Sequence, residues 1–124
     1  RYELIPHLPE SLRFEIDDTL GGSRAPLAAR AQYLQRQFPR MRWVETIPKL
    51  TLIQLAQRHR LPIRSIKRYR DLEEGVEARN VLMEKLPQAM GVFLYDGDLT
   101  KLIRSLGAMD AFLSAWNGLQ LARR

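Results

Sequence analysis

Residues 41–47 constrain the fold of this chain most, because their side chains alternate in the way that is typical of a β-strand. Pro48 cannot donate to a sheet ladder, so the strand is expected to end before it. Glu45, the only acidic residue between Asp18 and Asp71, would then lie near the carboxyl end of the strand. Open α/β sheets place their ligand sites at that end. The sequence therefore predicts a functional site at Glu45, although an ion pair with a neighbouring Arg would also explain this residue.

The preceding residues complete a strand–helix–strand order. Residues 11–17 alternate between polar and apolar side chains and predict a strand, and Pro26 begins a helical pattern that continues to Pro39. This order over about thirty residues is typical of a parallel βαβ unit. Asp17 or Asp18 would lie at the same sheet edge as the end of the second strand. We therefore expect an α/β fold, in which a small, largely parallel sheet is flanked by helices in a single domain that spans the chain.

The remainder of the sequence predicts helices over residues 51–60, 76–86, 99–106 and 107–122. The last of these is apolar over most of its circumference, so it should be largely buried, with a stripe of small residues close to a neighbour. Asp110 interrupts this apolar surface. A buried carboxylate needs a cation, a hydrogen-bond donor or the mouth of a cleft, which makes Asp110 a second candidate site residue.

Carboxylates from these regions would form a metal site if the fold brought them together. Asp17 or Asp18, Glu45 and Asp110 would supply the oxygen ligands that Mg²⁺ and Mn²⁺ prefer. Such an ion activates water and stabilises the leaving oxygen in phosphodiester hydrolysis. The sequence therefore predicts a metal-dependent nuclease in which these carboxylates are both catalytic and metal-binding. A structural role for each of them stays open.

The positive charge of the chain is concentrated in one half. Residues 19–70 contain twelve basic residues and one acidic residue, a net +11, whereas the rest of the chain has a net −5. A positive region of this size favours a polyanionic partner, and nucleic acid is the first candidate. Arg24, Lys67 and Arg68 are the expected phosphate-binding residues.

Residues 52–69 also have the spacing of a helix-turn-helix, with Ala56 in the first helix, Leu61 at the turn and Ile66 in the second helix. Cations of the 58–70 segment would then face nucleic acid: Arg58, Lys67, Arg68 and Arg70. This alternative predicts a mainly α fold with a helix-turn-helix, and a non-catalytic nucleic-acid-binding module that uses the 58–70 segment. A structural or partner-binding domain is a third interpretation.

The chain contains no Cys, which excludes disulfides, zinc–thiolate sites and thiol nucleophiles. No apolar run approaches the length needed to cross a bilayer. We therefore expect a cytoplasmic protein without a membrane partner, and the sequence leaves its oligomeric state open.

Several short motifs together resemble a known family. They are RFEIDDTLGG, VETIPKLTL, RYR followed by EGVEARNVL, and MDAFLSAWNGLQLAR. They resemble the C-terminal half of an uncharacterised family of predicted RNase H-like nucleases, over roughly residues 12–122. The resemblance implies a partial RNase H-like fold with these candidate site residues: Asp17, Glu45, Tyr69, Arg79 and Asp110. It adds Tyr69 and Arg79 to the expected nucleic-acid-binding residues. The fold of that family opens with a strand that bears a metal-binding Asp, and nothing before Ser11 matches it. The chain is therefore expected to be a fragment or a shortened form.

Overall fold

The computed structural model describes residues 25–123, with side chains from residue 29 onward. The described residues form seven helices and no strand: α1 Ala25–Gln37, α2 Pro48–His59, α3 Ile63–Arg68, α4 Gly75–Met83, α5 Leu86–Met90, α6 Asp96–Arg104 and α7 Leu106–Ala122. The predicted α/β fold with a parallel sheet, and with it the partial RNase H-like fold, is therefore wrong for this part of the chain. The alternative of a mainly α fold is confirmed.

Residues 41–47, the predicted strand that carries Glu45, connect α1 to α2 without regular structure. A strand is stabilised by a hydrogen-bonded neighbour, and residues 25–123 contain no second strand that could pair with it. Met41 and Val44, which would lie on opposite faces of a strand, are both more than half exposed, at 58% and 52%. Alternation alone was therefore not sufficient to form a strand here. The other predicted strand, residues 11–17, lies outside the described residues.

The chain divides into two compact units, Arg1–Thr46 and Ile47–Arg124. Helix α1 belongs to the first unit, and its bounds confirm the helix that was expected between Pro26 and Pro39. Helices α2 to α7 belong to the second unit. That the whole chain acts as a single domain stays a prediction.

The second unit is built around two helices, α2 and α4. Helix α2 contacts α3, α5 and α7, and helix α4 contacts α3, α5 and α6. Its core contains apolar side chains that are fully buried: Leu52, Ile53, Ile66, Leu82, Leu86, Met109 and Leu113. Burial of each such side chain stabilises the fold by about 1.5–3 kcal/mol. Two hydrogen bonds also connect α7 to this core. Trp116 Nε1 donates to the Met90 carbonyl at 3.0 Å, and Asn117 Nδ2 donates to Thr51 Oγ1 at 2.5 Å.

Helix α7 is less buried than its composition predicts. Only Met109 and Leu113 are fully enclosed, and Leu119 is 43% exposed. The stripe of small residues that was expected to lie against a neighbour is exposed: Ala111, Ala115, Gly118 and Ala122. The reason is that one side of α7 faces α2 and α6, which leaves the opposite side open within the second unit. Neither α7 nor any other described helix is long and apolar enough to span a membrane.

The middle helices have different ends from those predicted. Pro87 was expected to end a helix over residues 76–86, but α4 already ends at Met83. Pro87 instead lies in the first turn of α5, where a residue without an N–H is tolerated because no helical hydrogen bond is needed there. Helix α6 begins at Asp96, earlier than the predicted residue 99.

Candidate nucleic-acid interface

Helices α2 and α3 contact each other and are joined by a short turn, residues 60–62. The spacing of apolar residues predicted this arrangement, and Ala56, Leu61 and Ile66 are all buried. Because these side chains anchor both helices and the turn, the polar residues between them lie on the outer surface of the pair.

The turn is unusual at Arg60, which ends α2 in the left-handed conformation, at φ 55° and ψ 43°. Its N–H donates to the Ala56 carbonyl at 3.0 Å, which closes the helix end. Gly is the usual residue in this position, since the side chain of any other residue costs about 1 kcal/mol there. Pro62 precedes α3 at φ −70°, and its carbonyl accepts a hydrogen bond from the Ile66 N–H at 3.2 Å.

The exposed cations of this helix pair form what we call the basic face: Arg58, Arg60, Arg64, Lys67 and Arg68. On α3, Arg64 lies three and four residues before Lys67 and Arg68, so the three side chains share one side of the helix. Ile66 is buried on the other side. The sequence has no acidic residue between Glu45 and Asp71, so no carboxylate from these two helices opposes the basic face.

One member of the basic face is partly neutralised from the next loop. Arg68 Nη1 lies 3.4 Å from Glu74 Oε2, and both side chains are about half exposed, at 48% and 53%. Asp71 holds this loop in place, because its Oδ1 accepts hydrogen bonds from the N–H groups of Glu73 and Glu74 at 2.8 and 3.0 Å. These two hydrogen bonds lower the pKa of Asp71, and the one from the Glu74 N–H has the larger effect.

Two of the expected nucleic-acid-binding residues of the 58–70 segment face inward instead. The Tyr69 hydroxyl, fully buried, donates to Asp110 Oδ1 at 3.0 Å. The Arg70 guanidinium donates to Asp110 Oδ2 and lies 5.9 Å from the centre of the Tyr69 ring. Both oxygens of Asp110 therefore accept hydrogen bonds from the chain itself. Asp110 of α7 thus connects the end of α3 to the core. The Tyr69 hydroxyl and the Arg70 guanidinium are the hydrogen-bond donor and the cation that a carboxylate in this position was expected to need.

Arg79 of α4 completes this cluster from the opposite side. Its Nη1 donates to the Tyr69 carbonyl and its Nε to the Ile103 carbonyl, both at 2.6 Å. Gly75 makes room for the guanidinium, because a Cβ at that position would lie 2.8 Å from Arg79 Nη1 and 3.1 Å from the backbone carbonyl oxygen of Tyr69. We call Tyr69, Arg70, Arg79 and Asp110 the Asp110 cluster.

Burial shifts the pKa of two members of this cluster. It raises the pKa of Tyr69 well above the ordinary value, and the negative charge of Asp110 acts in the same direction. Burial lowers the pKa of Arg79, an effect that the nearby Asp110 charge opposes. The Tyr69 hydroxyl is therefore neutral over the whole physiological range and serves as a hydrogen-bond donor.

The predicted carboxylate site has a different outcome at each residue. Asp110 is bound to Tyr69 and Arg70, whereas Glu45 is exposed and belongs to the first unit. Asp17 lies outside the described residues, as does Arg24 of the predicted phosphate-binding set. Among residues 25–123, no group of three His, Cys, Asp or Glu side chains is arranged to hold a metal ion. The Mg²⁺ or Mn²⁺ site stays a prediction.

The expected nucleic-acid-binding residues separate into two groups. The first group, Arg58, Lys67 and Arg68, is exposed. In the second group, Tyr69 and Arg79 are buried and Arg70 forms an ion pair with Asp110. The motifs behind the family resemblance did single out Tyr69, Arg79 and Asp110, and the fold brings these three together, although as a hydrogen-bonded cluster beneath the surface. Sequence reasoning missed Gly75 and Glu74. The available signal was the position of both directly after the basic segment, where α4 begins.

Comparison with protein-family models, with curated proteins and with solved structures gives no match for this chain. The resemblance to RNase H-like nucleases therefore stays a prediction, and the geometry of the second unit carries the functional argument.

Proposed function

We propose that this chain is a non-catalytic nucleic-acid-binding module, and that the basic face of α2 and α3 contacts the phosphates. The observation that carries the proposal is the exposure of five cations on one helix pair that contributes no carboxylate. Proteins bind nucleic acid chiefly by neutralising phosphates with Lys and Arg, which releases condensed counterions. A helix pair with an apolar interior and a cationic exterior supplies such contacts from a rigid support.

The Asp110 cluster supports the same proposal indirectly. Residues 69 and 70 follow α3 immediately, and Asp110 and Arg79 fix both of them by hydrogen bonds. The end of α3 is therefore held against α4 and α7, so that Lys67 and Arg68 project from a fixed position. Pre-ordered cations bind phosphates with a smaller loss of conformational entropy than cations on a mobile loop.

Hydrolysis is not included in this proposal. The nuclease hypothesis required carboxylates that meet at the edge of a sheet, and the part of the chain described here contains no sheet. A titration in the presence of Mn²⁺ separates the two functions, because the proposed module would bind a labelled duplex and leave it intact. Metal-dependent cleavage that Asp110→Asn abolishes would contradict the proposal.

The binding experiment is fluorescence anisotropy of a labelled DNA duplex with the full chain and the double variant Arg64→Glu/Lys67→Glu. Two charge reversals on the basic face should weaken binding by about tenfold or more at moderate salt. The matched control is Lys101→Glu/Arg104→Glu, which makes the same charge change at exposed positions of α6. It should weaken binding much less.

Circular dichroism of both variants would show that each keeps its helices. Equal losses in the two variants would mean that net charge, and not the basic face, is responsible for binding. That result would contradict the proposal, as would the absence of binding by the unaltered chain at low salt.

A further inference from the structure

We infer that the basic face binds the phosphate backbone of a nucleic-acid duplex and does not read the base edges. This inference rests on the proposed function and names the kind of nucleic-acid contact. Three observations on α2, α3 and the turn between them carry it: the residue types of the basic face, the start of α3, and the position of Tyr69.

The residue types restrict which bases could be read. Direct readout of adenine uses Asn or Gln, and that of cytosine uses Asp or Glu. The 58–70 segment contains none of these four residue types, and α2 and α3 contain only Gln54 and Gln57, which precede it. The remaining strong base contact is Arg or Lys with guanine, and the same side chains bind phosphates in any sequence.

The start of α3 is also poorly suited to base readout. A recognition helix contacts bases with its N-terminal residues, whereas α3 follows Pro62 and begins with Ile63, which is 39% exposed. The helix has six residues, which corresponds to about 9 Å. Of the basic face, Arg64 lies in the first turn of α3, Lys67 and Arg68 lie in the second turn, and Arg58 and Arg60 lie at the end of α2. Four of the five cations therefore lie outside the N-terminal turn with which a recognition helix contacts bases.

The position of Tyr69 favours a duplex over a single strand. Proteins that bind single strands without sequence preference stack the bases on exposed aromatic side chains. Tyr69 is the only Phe, Tyr or Trp of the 58–70 segment, and it is fully buried. The 58–70 segment thus offers charge and no exposed Phe, Tyr or Trp on which bases could stack.

The test is the salt dependence and sequence dependence of binding, measured by anisotropy with the full chain. The probes are an alternating A·T duplex, which avoids the narrow groove of A-tracts, a G·C-rich duplex of equal length, and one isolated strand. Glu74 partly neutralises the charge of Arg68, so four cations of the basic face remain to contact phosphates. We expect both duplexes to bind within about threefold of each other, with a slope of log K against log salt of about −3.5. The single strand should bind more weakly.

The conservative variant Arg64→Lys separates phosphate contact from guanine readout. Lys keeps the charge but lacks the planar fork that binds guanine through two hydrogen bonds. Arg64→Lys should therefore change the affinity for both duplexes by the same factor, and Arg64→Gln should lower it further and again equally for both.

Each other outcome has a distinct meaning. A preference of more than about tenfold for the G·C-rich duplex, lost in Arg64→Lys, would overturn the inference and leave the proposed function standing. Tighter binding of the single strand would overturn the inference in the same way. Failure to bind any of the three probes at low salt would refute the proposed function itself.

Discussion

At the scale of single residues, Arg60 combines a charge on the basic face with a backbone conformation that suits Gly. Residues held in sparsely populated conformations are frequent at functional sites, where the local strain is offset by the rest of the fold. Arg60 at φ 55° is such a case, and it is the only non-glycine residue with a positive φ between residues 25 and 123. Its cost to stability and its proposed contribution to binding can be separated by substitution.

Arg60→Gly should raise the free energy of unfolding by up to about 1 kcal/mol, because it relieves the left-handed strain, although the greater freedom of Gly in the unfolded chain offsets part of this gain. The same variant should bind duplex DNA more weakly, because it removes one phosphate contact. Urea denaturation and anisotropy measure the two effects. Arg58→Ala is the control, since it removes a neighbouring cation from a helical position and should weaken binding without a comparable gain in stability. A less stable Arg60→Gly variant with unchanged affinity would contradict this account.

Tyr69 determines a pH dependence of stability. Its pKa is raised in the folded state by burial, while in the unfolded chain it stays near the ordinary value of 10.0. Below that pH the hydroxyl is protonated in both states and its contribution is fully present. As the pH rises above 10, only the unfolded chain loses the proton, so stability falls by about 1.4 kcal/mol per pH unit.

Tyr69→Phe should therefore cost about 1–2 kcal/mol at pH 7, where it removes the hydrogen bond to Asp110, and progressively less above pH 10. Urea denaturation of both proteins at pH 7, 10 and 11 measures the difference, which also cancels the titration of other groups. A difference that stays constant from pH 7 to pH 11 would show that Tyr69 is not held neutral by the fold.

At the scale of elements, helices α2 and α3 and the turn between them could be predicted because their signal is local. The spacing of Ala56, Leu61 and Ile66 depends only on helical periodicity and one short turn. The strand over residues 41–47 could not be judged in the same way, since a strand depends on a partner that lies elsewhere in the sequence. For the same reason the Asp110 cluster was not predictable as a cluster. It joins residues 69 and 70 to residues 79 and 110 through tertiary contacts that leave no periodic pattern.

The start of α4 depends on the absence of a side chain at Gly75. Gly75→Ala should destabilise the fold by about 1–3 kcal/mol, because the added methyl group displaces the Arg79 guanidinium from the Tyr69 carbonyl. Gly118→Ala is the matched control. Nothing lies within 4 Å of a Cβ at Gly118, so Ala there should stabilise α7 by up to about 1 kcal/mol. Urea denaturation of both variants gives the two signs, and a stabilising effect at Gly75 would contradict the proposed packing of Arg79.

The loop between α3 and α4 should limit the affinity of the basic face. Glu74→Gln removes the carboxylate that partly neutralises Arg68, so it should tighten duplex binding by about twofold to fivefold and steepen the salt dependence by up to about one unit of slope. Glu84→Gln makes the same change just beyond the other end of α4, about 15 Å along the helix. It should have a smaller effect. Equal effects of the two variants would mean that Arg68 contributes no phosphate contact of its own.

At the scale of the whole molecule, the predicted topology was wrong, whereas the partner predicted from the charge stays a prediction. The net +11 of residues 19–70 and the net −5 of the rest indicated a polyanionic partner without any assumption about fold. The second unit retains the part of this asymmetry that lies in α2 and α3. The predicted sheet, by contrast, required the strands predicted over residues 11–17 and 41–47 to pair with each other. Alternation of polar and apolar side chains within each segment does not indicate such pairing.

Contact between nucleic acid and the basic face is tested most directly by amide chemical-shift mapping. A short DNA duplex would be titrated at low salt into the ¹⁵N-labelled full chain, and the shift of each amide followed. We predict that the largest changes fall on residues 58–68, with small changes over α7 and over Phe93 and Tyr95, two exposed aromatic residues just before α6. Changes centred on either of those regions, with residues 58–68 unaffected, would contradict the account.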